Sequence, residues 1–265
     1  MKASTKYVIT AYLIFWAMVL GLCGAASMAF HAPPLVMRWL SNLCAWSPTI
    51  VLLVMFKRLL PGITVRDFYK NAFSGRLRPG LLALLAVAVA GGMVISALLT
   101  GLLHSAQGKD LAPLFSRGSY PIPLTVILSL LSGPTGEEAG WRGYLRPELE
   151  KRLGFWKGAI TGGVIWAFWH TVLWFVDSDF TGWSMVVYII SNVVVMTALN
   201  IIMCCVLEKH NNLAYAIWIH LCFNLTYCFI QADVWFYVVM TAVFALLAAV
   251  WALARQRYIS KNHSN

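Results

Sequence analysis

The chain has 265 residues, of which 60% are hydrophobic and only 11% charged, and its mean hydropathy is +0.73. Soluble domains carry roughly 25% charged residues, so this composition excludes a soluble single domain and predicts an all-α, polytopic membrane protein. The net charge of +10 would suit a nucleic-acid binder, but its distribution along the chain assigns it to membrane topology and excludes that partner.

A membrane-spanning helix needs about 20 mostly apolar residues, and eight such runs are legible: 7–30, 39–56, 81–104, 121–136, 159–176, 184–206, 213–230 and 234–254. The first follows Lys2 and Lys6 and ends among the small residues Gly24-Ala25-Ala26-Ser27. It is longer than the roughly 7–15 apolar residues of a signal peptide, so a retained first helix is expected. Between the second and third runs, Thr64 is placed to cap a short helix, with Asp67 three residues on. There Ile63, Val65, Phe68, Tyr69 and Phe73 alternate with Arg66 and Lys70, a pattern open to an interfacial amphipathic helix or to a basic loop. The fourth run contains Pro121, Pro123 and Pro134 and ends at Glu137-Glu138. Beyond it Leu145, Leu149 and Leu153 recur every fourth residue among charged neighbours. This predicts a half-buried surface helix closed by Gly154.

With eight spans and an internal N-terminus, all but Arg38, Lys109 and Arg117 of the 20 Lys and Arg residues fall on the inside. That is the positive-inside pattern, and it predicts both termini in the cytoplasm, N-in and C-in. The six cysteines (Cys23, Cys44, Cys204, Cys205, Cys222, Cys228) show no CxxC spacing and read as small packing residues, with no disulfide or zinc framework.

Chemistry-bearing residues stand out against this apolar background. A charge at membrane depth costs about 2.5–3.5 kcal/mol on insertion scales and marks a functional site by default. Glu137, Glu138 and Arg142 close the fourth run, His170 lies in the fifth, and His220 and Asn224 share a face of the seventh. Helix residues four apart are neighbours, whereas adjacent ones point about 100° apart. Arg142 therefore pairs with Glu138, while Glu137 has no local cation in a low-dielectric setting and is the candidate general base. The bland alternatives are surface salt bridges for the glutamates, a hydrogen-bonded core histidine for His170, and helix–helix contacts for His220 and Asn224. Together the groups supply a base, a proton shuttle and oxyanion donors, which suits hydrolysis of an amide bond. Glu137, His170 and His220 could instead hold Zn2+, although no HExxH motif occurs. A Glu/His proton path of a transporter is a further reading.

Glu137-Glu138 with Arg142 matches EExxxR, and His220 with Asn224 matches HxxxN. With Trp166-Ala167-Phe168-Trp169-His170 between them, these motifs resemble the CPBP family of CAAX-prenyl endopeptidases and bacteriocin-processing intramembrane proteases, also called Abi. The resemblance covers about 120–224; the middle motif is usually FxxxH, and Trp166 stands where phenylalanine is usual. It implies a protease core over 120–230; the apolar runs and basic segments on either side read as N-terminal helices with a basic loop over 1–119 and a last helix with a basic tail over 231–265. It also implies an active site open to the cytoplasmic side. There Glu137, helped by His170, activates water, His220 and Asn224 stabilise the oxyanion, and Glu138 and Arg142 support them. No cofactor is favoured, because Asn is a poor zinc ligand and a good oxyanion donor; Zn2+ remains the alternative.

The function so expected is an intramembrane endopeptidase, multi-pass in a bacterial cytoplasmic membrane, cleaving near the cytoplasmic face. Its partners would be a peptide or membrane-protein substrate and the lipid bilayer. A non-catalytic partner-binding or bacteriocin-immunity relative and a proton-coupled transporter are the alternatives.

Overall fold

The computed structural model describes residues 2–107, 115–116 and 118–263, with side chains through 260. Lys109 and Arg117, two of the three basic residues expected outside, lie beyond the described residues, as does the side chain of Lys261. Among the described residues there is no named strand, only one antiparallel bridge between Phe115 and Ile230.

The first apolar run is one continuous span. α1 (Ala3–Ala17) passes through the π-helical residues Met18–Cys23 into α2 (Gly24–Met28). The second is broken into α3 (Pro34–Ala45), α4 (Ser47–Val54) and α5 (Phe56–Leu59). Pro48 explains the first break, because it lacks an N–H and its ring clashes with the preceding turn. α6 (Val65–Ala72) is a helix and not a loop: Thr64 Oγ1 accepts the Asp67 N–H at 3.1 Å, Phe68 is buried, and Arg66 and Lys70 are exposed. α7 (Pro79–Ala106) is a single long helix.

The fourth run divides at Ser132 into α8 (Ile122–Leu131) and α9 (Gly133–Glu138), where Pro134 opens the new helix. Seven π-helical residues, Ala139–Leu145, lead into α10 (Arg146–Leu153), which ends at Gly154 with φ 74°. Leu145 and Leu149 are buried as predicted, whereas Leu153, on the last turn, is exposed. α11 (Phe155–Trp169) and α12 (Thr171–Val176) form the fifth run, α13 (Gly182–His210) the sixth, α14 (Ala214–Tyr227) the seventh and α15 (Val234–His263) the eighth.

Five of these elements are long and apolar enough to cross a membrane by length and composition: Ala3–Met28, Pro79–Ala106, Phe155–Val176, Gly182–His210 and Val234–Ser260. The runs predicted over 39–56, 121–136 and 213–230 fall on shorter helices. The protein is a polytopic all-α membrane protein.

The helices close a ring. α13 packs between α11 and α15, α15 on α7, α7 on α14, and α14 on α9, while α9 meets α3 and α4, and α1 completes the circuit between α4 and α11. Between apolar helices the hydrophobic effect supplies no drive, so close approach through small residues does the work. A methyl at Gly163 would lie 2.6 Å from the Thr197 Cα, and one at Gly92 2.8 Å from the Leu247 side chain.

The two ends of the bundle differ in charge. At one end Arg152 donates to Ser4 at the start of α1 (3.0 Å), and Arg255 near the end of α15 pairs with Glu208 (2.6 Å). The Arg255 guanidinium also stacks over the Phe155 ring. At the other end His104 meets Asp233 at 2.9 Å, joining the end of α7 to the start of α15. Among the described residues this second end carries Asp177, Asp179 and Asp233, and Arg38 is its one Lys or Arg.

Candidate active site

α9 and the π-helical turns after it are glycine-rich, and the chain uses those glycines for close contact. A methyl at Gly136 would lie 2.9 Å from the Ala45 carbonyl oxygen, and one at Gly140 2.8 Å from that of Pro48. The segment is thus pressed against the α3–α4 break, which turns Glu137 (3% exposed) and Glu138 (0%) into the bundle.

Glu138 anchors a buried network. Its Oε1 accepts from Arg142 Nη1 at 3.1 Å, the pair predicted from the spacing, and lies 2.7 Å from His220 Nδ1. Arg142 also donates from Nε to Asn200 Oδ1 at 3.0 Å, and Asn200 passes its own amide to the Ala159 carbonyl at 2.6 Å. The guanidinium carbon sits 3.8 Å from the centre of the Trp166 ring. An Arg stacked on an aromatic face while forking to a carboxylate is held in one orientation.

Glu137 takes a different partner: its Oε2 accepts the indole N–H of Trp166 at 2.6 Å. Its Oε1 faces His220 Nε2 across Gly133, where an added methyl would lie 2.6 Å from each atom. The His170 Nδ1 lies 2.9 Å from the Trp166 carbonyl oxygen. A carbonyl can only accept, so that nitrogen carries the proton and Nε2 presents a lone pair. The Trp166 ring centre is 6.0 Å from the His170 ring and 5.2 Å from the His220 ring.

Glu137, His170, His220 and Asn224 all line one cavity of about 260 Å³. The four predicted residues therefore meet, with Glu138 and Arg142 directly behind them. The Zn2+ alternative of Glu137, His170 and His220 is not drawn together as a ligand set. Among the described residues no three His, Cys, Asp or Glu side chains are grouped to hold a metal ion.

Two participants went unread in the sequence. Trp166 stands where phenylalanine is usual, yet its N–H, a donor that buried tryptophans usually satisfy, reaches the candidate base. Asn200, which with Asn192 is one of two amides in the sixth apolar run, matches no motif, although a buried polar group needs partners.

The cavity opens away from the basic end. Its walls run from Gly133 and Glu137 to Arg38, Ser41, Asp177 and Cys228. A second cavity of about 380 Å³ shares those last four residues and reaches Ser119 and Tyr120. A third, of about 420 Å³, lies beneath α6 at the basic end and shares no lining residue with the first.

Residues 118–226 match the model of a family described as type II CAAX prenyl endopeptidase Rce1-like. A stretch of 55 residues is 40% identical to CAAX prenyl protease 2 of Methanococcus maripaludis, covering 21% of this chain and 20% of that protein.

Proposed function

Over residues 118–226 this chain belongs to the CPBP family of CAAX-type membrane proteases, and from that premise we propose that it is an intramembrane endopeptidase whose base is Glu137. A water bridging Glu137 Oε1 and His170 Nε2 gives its proton to Glu137 as its oxygen attacks the scissile carbonyl carbon. The tetrahedral oxyanion is stabilised by His220 Nε2–H and the Asn224 carboxamide. Glu138, 2.7 Å from His220 Nδ1, fixes the ring with Nε2 toward the cavity. The C–N bond then breaks, and Glu137 returns its proton to the leaving amine. The catalytic core is 120–230, its substrate a peptide or membrane protein in or beside the bilayer, and its setting a bacterial cytoplasmic membrane.

The observation carrying this reading is the convergence of a buried carboxylate, two imidazoles and a carboxamide on one cavity. Its test compares peptides released from membranes containing the wild-type protein with those from membranes containing Glu137→Gln. Peptides that depend on Glu137 are the expected result; identical peptide sets would sink the proposal.

Two further outcomes follow from the same site. Trp166→Phe keeps the ring between the two histidines but removes the donor to Glu137. A hydrogen bond to a charged group is worth about 1.5–3 kcal/mol, so kcat should fall roughly 10- to 100-fold with KM and thermal unfolding little changed. Steady-state kinetics against the wild type would check this. Gly133→Ala puts a methyl where the reacting atoms must pass, 2.6 Å from both Glu137 Oε1 and His220 Nε2. Displacements of about 1 Å in such a site cost on the order of 10²-fold, and that loss is expected in single-turnover cleavage with helical content retained.

A further inference from the structure

We propose that Trp16, on α1 and outside the 118–226 stretch that matches the family model, is a positioning residue for His170. Its indole holds open the helix break that aims the His170 ring at the cavity. That Trp16 serves catalysis rests on the proteolytic reading; that it sets the His170 ring does not.

At His170 the backbone changes register. Its φ of −76° and ψ of 0° end α11, and α12 begins at the next residue. The His170 N–H bonds to the Ala167 carbonyl at 3.0 Å, and the Leu173 N–H to the His170 carbonyl at 2.8 Å. Each reaches back three residues, where an α-helix reaches back four. The Trp166 and Trp169 carbonyls, which those two N–H groups would take in an unbroken helix, are thereby released. A released carbonyl shielded from water needs another donor.

The two carbonyls find different ones. That of Trp166 takes the proton of His170 Nδ1 at 2.9 Å, the bond that leaves Nε2 bare. That of Trp169 accepts the indole N–H of Trp16 at 3.0 Å. The break thus has two stays, and only one of them belongs to His170 itself. Without Trp16, the donor that satisfies the Trp169 carbonyl is the Leu173 N–H of a regular helix. Taking it closes the break, and the His170 N–H then returns to the Trp166 carbonyl in competition with the Nδ1 proton.

α1 grips the same turn at further points. The Tyr12 hydroxyl donates to the Ile165 carbonyl, and the Trp169 indole donates back to the Ala11 carbonyl at 3.3 Å. The Phe15 ring stacks on the Trp169 ring at 3.8 Å, and the Trp169 ring stands edge-on to the His170 ring at 4.6 Å. Tyr12, Phe15 and Trp16 have the spacing of one helical stripe, so a single face of α1 makes the whole grip.

The experiment takes the full-length protein in detergent, isotopically labelled at the histidine nitrogens, and compares Trp16→Phe with Trp218→Phe. The second variant is a matched control, because the Trp218 indole also donates across helices, to the Leu82 carbonyl on α7 at 2.9 Å. Nitrogen spectra, with the His170 signals assigned by their loss in His170→Gln, should place the wild-type proton on Nδ1. In Trp16→Phe the proton should spread over both nitrogens. There kcat should fall about 10- to 100-fold, the scale of a misplacement of up to about 1 Å, with KM little changed. Trp218→Phe should change neither. Wild-type spectra or wild-type kcat in Trp16→Phe, or the same losses in Trp218→Phe, overturn the proposal. The two ideas fail separately. Shifted His170 signals in a protein with no Glu137-dependent peptide release keep the grip on the ring and remove proteolysis. Glu137-dependent release with His170 signals unmoved by Trp16→Phe does the opposite.

Discussion

Glu137→Gln should lower kcat/KM for peptide cleavage by about 10²–10⁴, the usual cost of removing a general base, while leaving thermal unfolding in detergent within a degree or two of the wild type. The substitution is nearly isosteric, and the Gln carbonyl oxygen can still accept the Trp166 N–H that now reaches Glu137 Oε2 at 2.6 Å. What it loses is the ability to take a proton from water and return it to the leaving amine. Such a loss corresponds to about 2.7–5.5 kcal/mol of transition-state stabilisation at 1.36 kcal/mol per decade. Glu138→Gln makes the informative contrast. Its carboxylate faces both Arg142 and His220, so neutralising it should reduce activity and stability together. If Glu137→Gln destabilises as much as Glu138→Gln, or retains near-full cleavage, then the two adjacent carboxylates have been assigned the wrong roles.

That contrast also marks what a linear sequence can and cannot carry. The Glu138–Arg142 pair is local: a spacing of four on a helix fixes it, and the π-helical turns over Ala139–Leu145 do not undo it. The apolar runs likewise report helices, because the length of hydrocarbon to be crossed is written into each run. Breaks at Pro48 and Ser132 are partly legible, the first through its proline; the second shows only as a backbone turn with ψ −127°. The contacts between Glu138 and His220 and between Arg142 and Asn200 were not legible. They join residues 82 and 58 positions apart, and they depend on how α13 and α14 are rotated about their axes. A run that is apolar nearly all round does not specify that rotation. The same holds for Trp166, whose indole donor has meaning only once Glu137 lies opposite it.

Arg142→Met should be the most destabilising single change at the site, by about 3–5 kcal/mol, measured as a shift of the unfolding transition in detergent. Arg142 is 1% exposed and Glu138 is fully buried; deleting one member of a buried pair strands the other charge, and that stranded charge is the main cost. Methionine retains most of the packing volume over Trp166 but none of the donors to Glu138 and Asn200. The double variant Glu138→Gln/Arg142→Met removes both charges, and it should be more stable than Arg142→Met alone although it lacks more native groups. That inversion is specific to an ion pair in a dry layer, since two packing defects would add. Activity should not follow stability back. Without the Glu138 carboxylate, His220 Nδ1 loses the partner that fixes its ring in the cavity, so the double variant should be well folded and still slow. Recovery of cleavage along with stability would mean that Glu138 serves only to balance Arg142 and does not hold His220 for the oxyanion.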